Sequence, residues 1–187
     1  KSAVKSGDTQ TIEALRGIVE WIQATGFMSV ILFMCAGVIL TLVVQSSSAA
    51  MAITITFAMQ GWLGDDPMVA FKNSAAIVLG ENIGTTVTAW LASIGASVAA
   101  KRAARAHLLF NVIGVVWMLI AFSVFTDFIW SLADSLPDSL KSAKKDFGKS
   151  EVAFATAVFH TLFNLINIGV LIWFVPQIAS LVKKMVK

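Results

Sequence analysis

Polar and apolar positions fall in long blocks along this chain. Residues 1–20 mix charged and apolar side chains, and Ile12, Leu15, Val19 and Ile22 recur at helical spacing. That pattern predicts an amphipathic helix starting near Thr9 or Thr11, lying along a membrane interface over residues 1–25. Residues 21–64 then run for 44 positions without a charge. A bilayer crossing takes roughly 20 apolar residues, so two arms fit. Between them stands Gln45-Ser46-Ser47-Ser48. Two complete spans would put this tetrad at the membrane surface. A re-entrant hairpin over residues 27–64 would put it near the midplane, on irregular backbone lining a cavity.

Asp65-Asp66-Pro67 reads as a turn, and residues 73–100 form the next apolar stretch. It is interrupted by Gly80-Glu81-Asn82-Ile83-Gly84-Thr85-Thr86. A carboxylate at the centre of a lone membrane helix costs about 2.5–3.5 kcal/mol on insertion scales. The stretch therefore predicts a discontinuous helix facing protein or water. Spans follow at 106–126 and 152–176, separated by a polar loop at 127–151, with a basic tail at 177–187.

Composition supports the membrane reading. Apolar residues make up 57% of the 187 and charged residues only 13%, about half the share in a soluble domain. Disorder, a disulfide scaffold and nucleic-acid binding are excluded on these grounds. The lone Cys35 lies in an apolar run and offers neither an intramolecular disulfide nor a metal cluster. The first residues are too polar for a signal peptide, and with Lys1 leading, the chain reads as a piece or a processed product. Charge is asymmetric: Lys101, Arg102 and Arg105 form one cluster and Lys183, Lys184 and Lys187 another, whereas the 65–72 and 127–151 loops are net acidic. The positive-inside rule places both clusters on the cytoplasmic side, the C-terminus included, and both loops outside.

Three motifs carry candidate chemistry. If a helix restarts after Gln45, its unpaired N–H groups, the serine hydroxyls and the positive dipole end favour an anion. The plainer alternative is a serine-rich cap at the membrane surface. A helix broken at Gly80–Thr86 would free carbonyls for sodium, with Glu81, Asn82, Thr85 and Thr86 adding oxygens. The alternative there is a glycine kink that lets helices pack. His107/Asn111 and His160/Asn164 repeat as H-x-x-F-N on one helix face. They suit a polar gate or support around an ion site, or simple interhelical hydrogen bonding. An intramembrane hydrolase is disfavoured, because no G-x-S-x-G elbow is present and three adjacent serines do not resemble one activated nucleophile.

Thr41-Leu42-Val43-Val44-Gln45-Ser46-Ser47-Ser48-Ala49, followed by Gly80-Glu81-Asn82-Ile83-Gly84-Thr85-Thr86, resembles the type II sodium/phosphate cotransporter family. The basic stretch ending in His107 and the later His160-Thr161-Leu162-Phe163-Asn164 look like its bacterial members, so the resemblance covers residues 26–176. It implies an all-α membrane protein: one half of an inverted-repeat transporter, with a re-entrant helical hairpin and a discontinuous transmembrane helix. It implies that Gln45, Ser46, Ser47 and Ser48 contact inorganic phosphate and that the broken helix from Asn82 to Thr86, with Asn82, Thr85 and Thr86, helps hold Na+, the coupling ion; Glu81 joins that set on its carboxylate oxygens and not on the resemblance. Thr41, His107, Asn111, His160 and Asn164 are expected around that site without touching the ions directly. Many relatives carry a small residue where Glu81 stands.

The family pattern has two QSSS segments and this chain has one, so it reads as a single repeat, the second, because the H-T-L-F-N helix and basic tail follow. The expected function is sodium-coupled phosphate symport across a bacterial inner membrane, with no covalent chemistry. The expected partners are phosphate, sodium, the lipid bilayer, and a missing half or an antiparallel second copy. A non-transporting membrane assembly module and a transporter of another oxyanion are the alternatives.

Overall fold

The computed structural model describes residues 6–64, 66–137, 139, 141 and 148–186. Asp65, Lys187 and part of the 127–151 loop lie outside these, as do the side chains of Ile12 and Leu15. All regular structure among the described residues is helical: α1 (Ser6–Gln23), α2 (Phe27–Val44), α3 (Ser47–Met59), α4 (Pro67–Ala92), α5 (Val98–Asp134), α6 (Lys149–Leu171) and, after a short 3-10 turn, α7 (Val175–Met185). Three stretches are long and apolar enough to cross a membrane: Phe27–Val44, Val98–Asp134 and Lys149–Met185.

Helix α4 is the centre of the bundle and touches α2, α3, α5 and α6. Its N-terminus is set by Asp66, whose carboxylate accepts from the Val69 N–H at 2.9 Å, with Pro67 at the first helical position. Two features of α4 differ from expectation. It runs unbroken through Gly80–Thr86, and the chain leaves the helix only after Ala92. The glycines serve a different purpose. A Cβ on Gly80 would lie 1.9 Å from the Met34 carbonyl oxygen, one on Gly37 would lie 2.0 Å from that of Ile77, and one on Gly84 would lie 2.8 Å from the Thr41 Cβ. The glycines are therefore spacers that bring two helix backbones together, the arrangement common between membrane helices. The helix stays continuous even though Asn82, Thr85 and Thr86 also donate to its backbone carbonyls.

These contacts also fix direction. Gly37 lies against Ile77 and Thr41 against Gly84, so α2 runs parallel to α4. Helix α3 runs back: Thr54 bonds Glu81, and Leu63 beyond its end accepts from Asn73 at 2.6 Å. Gln23, just before α2, donates to the same Leu63 carbonyl at 3.2 Å. Helices α2 and α3 are thus the two arms of an antiparallel hairpin, closed at its base and turning at Gln45.

The 106–126 segment sits inside the 37-residue α5. The helix persists to Asp134, further than its polarity suggested, because Phe122, Thr126, Ile129 and Ala133 continue one buried face. Lys72 on α4 pairs with Asp127 at 2.8 Å. Helices α6 and α7 run antiparallel to α5 along its length. Their junction coincides with Pro176, which supplies no N–H to bridge the turn. Residues 177–187, expected as a basic tail, are mostly helical. Phe71, Phe122, Phe159 and Phe163 fill the core between α4, α5 and α6. Ser74 and Thr156 exchange a 2.9 Å hydrogen bond within it.

Gly80→Ala is expected to lower the thermal midpoint of detergent-purified protein, since overpacking of this kind costs about 1–3 kcal/mol. Gly169→Ala, where a Cβ meets nothing within 4 Å, is expected to leave the midpoint unchanged or raise it.

Candidate functional site

The hairpin turns within two residues. Helix α2 closes as the Gln45 N–H donates to the Thr41 carbonyl at 2.7 Å. Gln45 then takes a left-handed conformation, with φ 55°. Ser46 follows in extended backbone, and its hydroxyl accepts from the Ala49 N–H at 3.3 Å. The serine triplet is thus the cap and first turn of α3. Serine suits this place because its oxygen can satisfy a helix-terminal N–H. The positive end of the α3 dipole and the carbonyl end of α2 meet at this tip.

The tip opens onto a cavity of about 450 Å³. Ser47, Ser48 and Met51 of α3 form one side, and Glu81, Asn82 and Thr85 of α4 form another. The rest comes from His107, Phe110 and Asn111 of α5 and from His160, Asn164 and Ile168 of α6. Four helices therefore bring nine of the thirteen sequence-nominated residues to one place. The H-x-x-F-N echo becomes a structural pair: Asn111 donates to the His107 carbonyl at 3.1 Å and Asn164 to the His160 carbonyl at 2.9 Å. Each asparagine thereby braces its own helix, and both pairs face the same space.

Glu81 is 4% exposed, and its Oε1 accepts a 2.7 Å hydrogen bond from the Thr54 hydroxyl. Asn82 donates to the Val78 carbonyl at 2.9 Å, and Thr85 donates to the Glu81 carbonyl at 2.8 Å. Because α4 is unbroken, its carbonyls here are occupied within the helix. The oxygens that α4 turns to the cavity are those of side chains. Among the described residues no lysine or arginine lines the cavity, and the titratable side chains that do are Glu81, His107 and His160.

Four nominated residues do not line the cavity. Gln45 and Ser46 are exposed at the tip itself. Thr86 is fully buried and donates to the Ile83 carbonyl. Thr41 is buried at the α2–α4 contact, donates to the Gly37 carbonyl at 3.0 Å and rests on Gly84. Thr54 was missed from sequence. It lies in an apolar run, and nothing in that run shows that its hydroxyl meets the carboxyl of another helix.

The arrangement defines a multi-pass helical membrane protein with a polar cavity at a hairpin tip. The model of the Na+/Pi-cotransporter family matches residues 6–136, and this chain belongs to that family. It is 36% identical over 97 residues to "Uncharacterized protein YqeW" of Bacillus subtilis, covering 52% of this chain and 30% of that protein. It is 26% identical over 151 residues to "Putative inorganic phosphate export protein YjbB" of Escherichia coli, covering 81% of this chain and 24% of that protein. The matched stretches thus span under a third of these relatives' length. No solved structure matches.

Thr54→Val is expected to destabilise the protein by about 1–3 kcal/mol, because it deprives a buried carboxyl of its hydroxyl donor. Thr54→Ser is expected to recover most of the loss. Thermal unfolding of the two variants side by side checks this.

Proposed function

We propose that this chain supplies one half of a sodium-coupled site that moves inorganic phosphate across the membrane. The observation that carries the reading is the shared cavity: Ser47 and Ser48, at the N-terminal end of α3, face the same space as Glu81, Asn82 and Thr85. Phosphate would take donors from the serine hydroxyls and the first N–H groups of α3, with Gln45 and Ser46 closing the tip. Sodium, a hard cation, would take oxygens from Glu81, Asn82 and Thr85. Thr86 is outside this set.

Electrostatics gives the coupling. A phosphate entering alone would meet the Glu81 carboxylate, and two like charges about 4 Å apart repel by roughly 4 kcal/mol at an effective dielectric of 20. A sodium ion beside Glu81 offsets that repulsion, so the cation binds first and makes the anion site usable. His107, Asn111, His160 and Asn164 close the far side of the cavity.

Helix α3 has 13 residues, about 20 Å of helix, against a hydrocarbon core of about 30 Å. An arm this short supports a re-entrant hairpin whose tip stops inside the bilayer. The basic clusters favour a cytoplasmic C-terminus. A second half, from the same polypeptide or from an inverted second copy, would supply the opposing hairpin, and the halves would rock to alternate access. Export is the second reading, favoured by the name of the Escherichia coli relative. The same cavity serves either direction, since net flux follows the combined gradients.

The test uses the protein at its natural length in proteoliposomes. Ser47→Ala is expected to raise the apparent phosphate Km several-fold at equal insertion. Asn82→Ala is expected to weaken sodium dependence more than phosphate affinity at saturating sodium. Wild-type kinetics in both variants would contradict the assignment. Arsenate or sulfate transported in preference to phosphate would redirect it to another oxyanion.

A further inference from the structure

Two amides stand on the α5 and α6 wall of the cavity, Asn111 and Asn164. Asn111 Nδ2 donates to the His107 carbonyl and Asn164 Nδ2 to the His160 carbonyl, one helical turn earlier in each case. A carbonyl accepts only from a donor, so these bonds fix which end of each amide is nitrogen and leave Oδ1 as the free end. Among the described residues neither Oδ1 has a hydrogen-bond partner, and no buried side-chain nitrogen or oxygen goes unpaired. Both oxygens are therefore open to space and not sealed in the core. Asn111 is only 5% exposed, and the cavity it lines accounts for that opening. Helix α3 packs against α6, and Ser47 and Ser48 of α3 line the same cavity as Asn164.

The groups around the cavity differ in what they can exchange. A serine hydroxyl rotates and can donate or accept, and a neutral imidazole does either through one nitrogen or the other. Together with helix N–H donors, such groups satisfy the bare oxygens of any tetrahedral oxyanion. They do not distinguish phosphate from sulfate. An amide oxygen whose NH2 is already engaged can only accept. A bare anionic oxygen placed against it sets two acceptors face to face, whereas a P–OH placed there makes a hydrogen bond. Inorganic phosphate keeps such a proton at neutral pH, and sulfate keeps none. Asn82 on α4 is braced in the same way as Asn111 and Asn164, but its neighbour is the Glu81 carboxyl, which suits its oxygen to the cation.

We propose that Asn111 and Asn164 accept from the protonated oxygen of phosphate, and that these two amide oxygens make the cavity select hydrogen phosphate over oxyanions of the same shape that lack a hydroxyl. The serine end of the cavity holds the bare oxygens and the asparagine wall reads the proton. A site built to pair a substrate hydroxyl rejects the analogue without it, because the site's own group is then left unpaired. This role rests on the phosphate-transport reading above and names the form of the substrate that the same cavity takes.

The test is sodium-driven uptake of labelled phosphate by protein of natural length in proteoliposomes, with unlabelled competitors. Monofluorophosphate, in which fluorine replaces the hydroxyl, and sulfate are the probes, and arsenate, which keeps a hydroxyl, is the control. Arsenate is expected to compete nearly as well as phosphate, and fluorophosphate and sulfate about a hundredfold more weakly. Asn164→Leu and Asn111→Leu, close in size but without an acceptor, are each expected to weaken phosphate about ten- to a hundredfold. Fluorophosphate competition is expected to stay as it was, so the preference narrows. Fluorophosphate competing as well as phosphate against the wild-type protein would overturn the proposal, and that comparison stands whether or not the variants insert. Lower uptake in both variants with the preference unchanged would also overturn it, since damage to packing alone gives that result. Wild-type protein that carries no phosphate would overturn the transport reading, and this role with it.

Discussion

The backbone of α2 rests directly on that of α4, and only residues without a Cβ at the contact allow it. Gly37 lies on the Ile77 carbonyl, Gly80 on the Met34 carbonyl and Gly84 on Thr41. In lipid, helices gain little from excluding water, so close van der Waals contact of this kind is a main source of cohesion. It also sets position. With α2 pinned along α4, the chain reverses at Gln45 beside the middle of α4, and α3 returns down its other side. Thr54 then reaches Glu81, and Ser47 and Ser48 come to line the same cavity as Asn82 and Thr85. The cavity is a geometric consequence of three missing side chains on a helix interface.

The same constraint decides how charge is handled. A rigid, unbroken α4 presents Glu81 to a cavity that no lysine or arginine lines. Thr54 satisfies one carboxylate oxygen and holds it in place. The cavity thus sets hydroxyl, amide and imidazole groups beside one buried carboxyl.

Much of this was legible in the sequence, for physical reasons. The 44-residue uncharged run and its polar tetrad left two complete spans and a re-entrant hairpin both open, and the family resemblance favoured the hairpin; what the structure shows is that the chain reverses at the tetrad. The H-x-x-F-N echo marked two helix faces that share a cavity. The error at Gly80–Thr86 is equally informative. Glycine beside polar residues inside a span reads the same whether it breaks a helix or admits a neighbouring one, and only the partner helix distinguishes the two. Thr86 was nominated with Thr85, yet adjacent residues on a continuous helix point about 100° apart, and one of them faces the core. Thr54 was invisible because its partner is 27 positions away on another helix.

The central claim is that the hairpin tip and the middle of α4 enclose a space that phosphate enters when sodium is present. Met51 lines that space and is not among the proposed ligands. With Cys35 and any cysteine outside these 187 residues replaced by serine, Met51→Cys gives a single reporter thiol, and its labelling by a water-soluble thiol reagent can be timed in protein of natural length. Labelling is expected to proceed freely and to slow when phosphate and sodium are added together, with neither ion sufficient alone. Labelling at one rate under all four conditions would contradict the account.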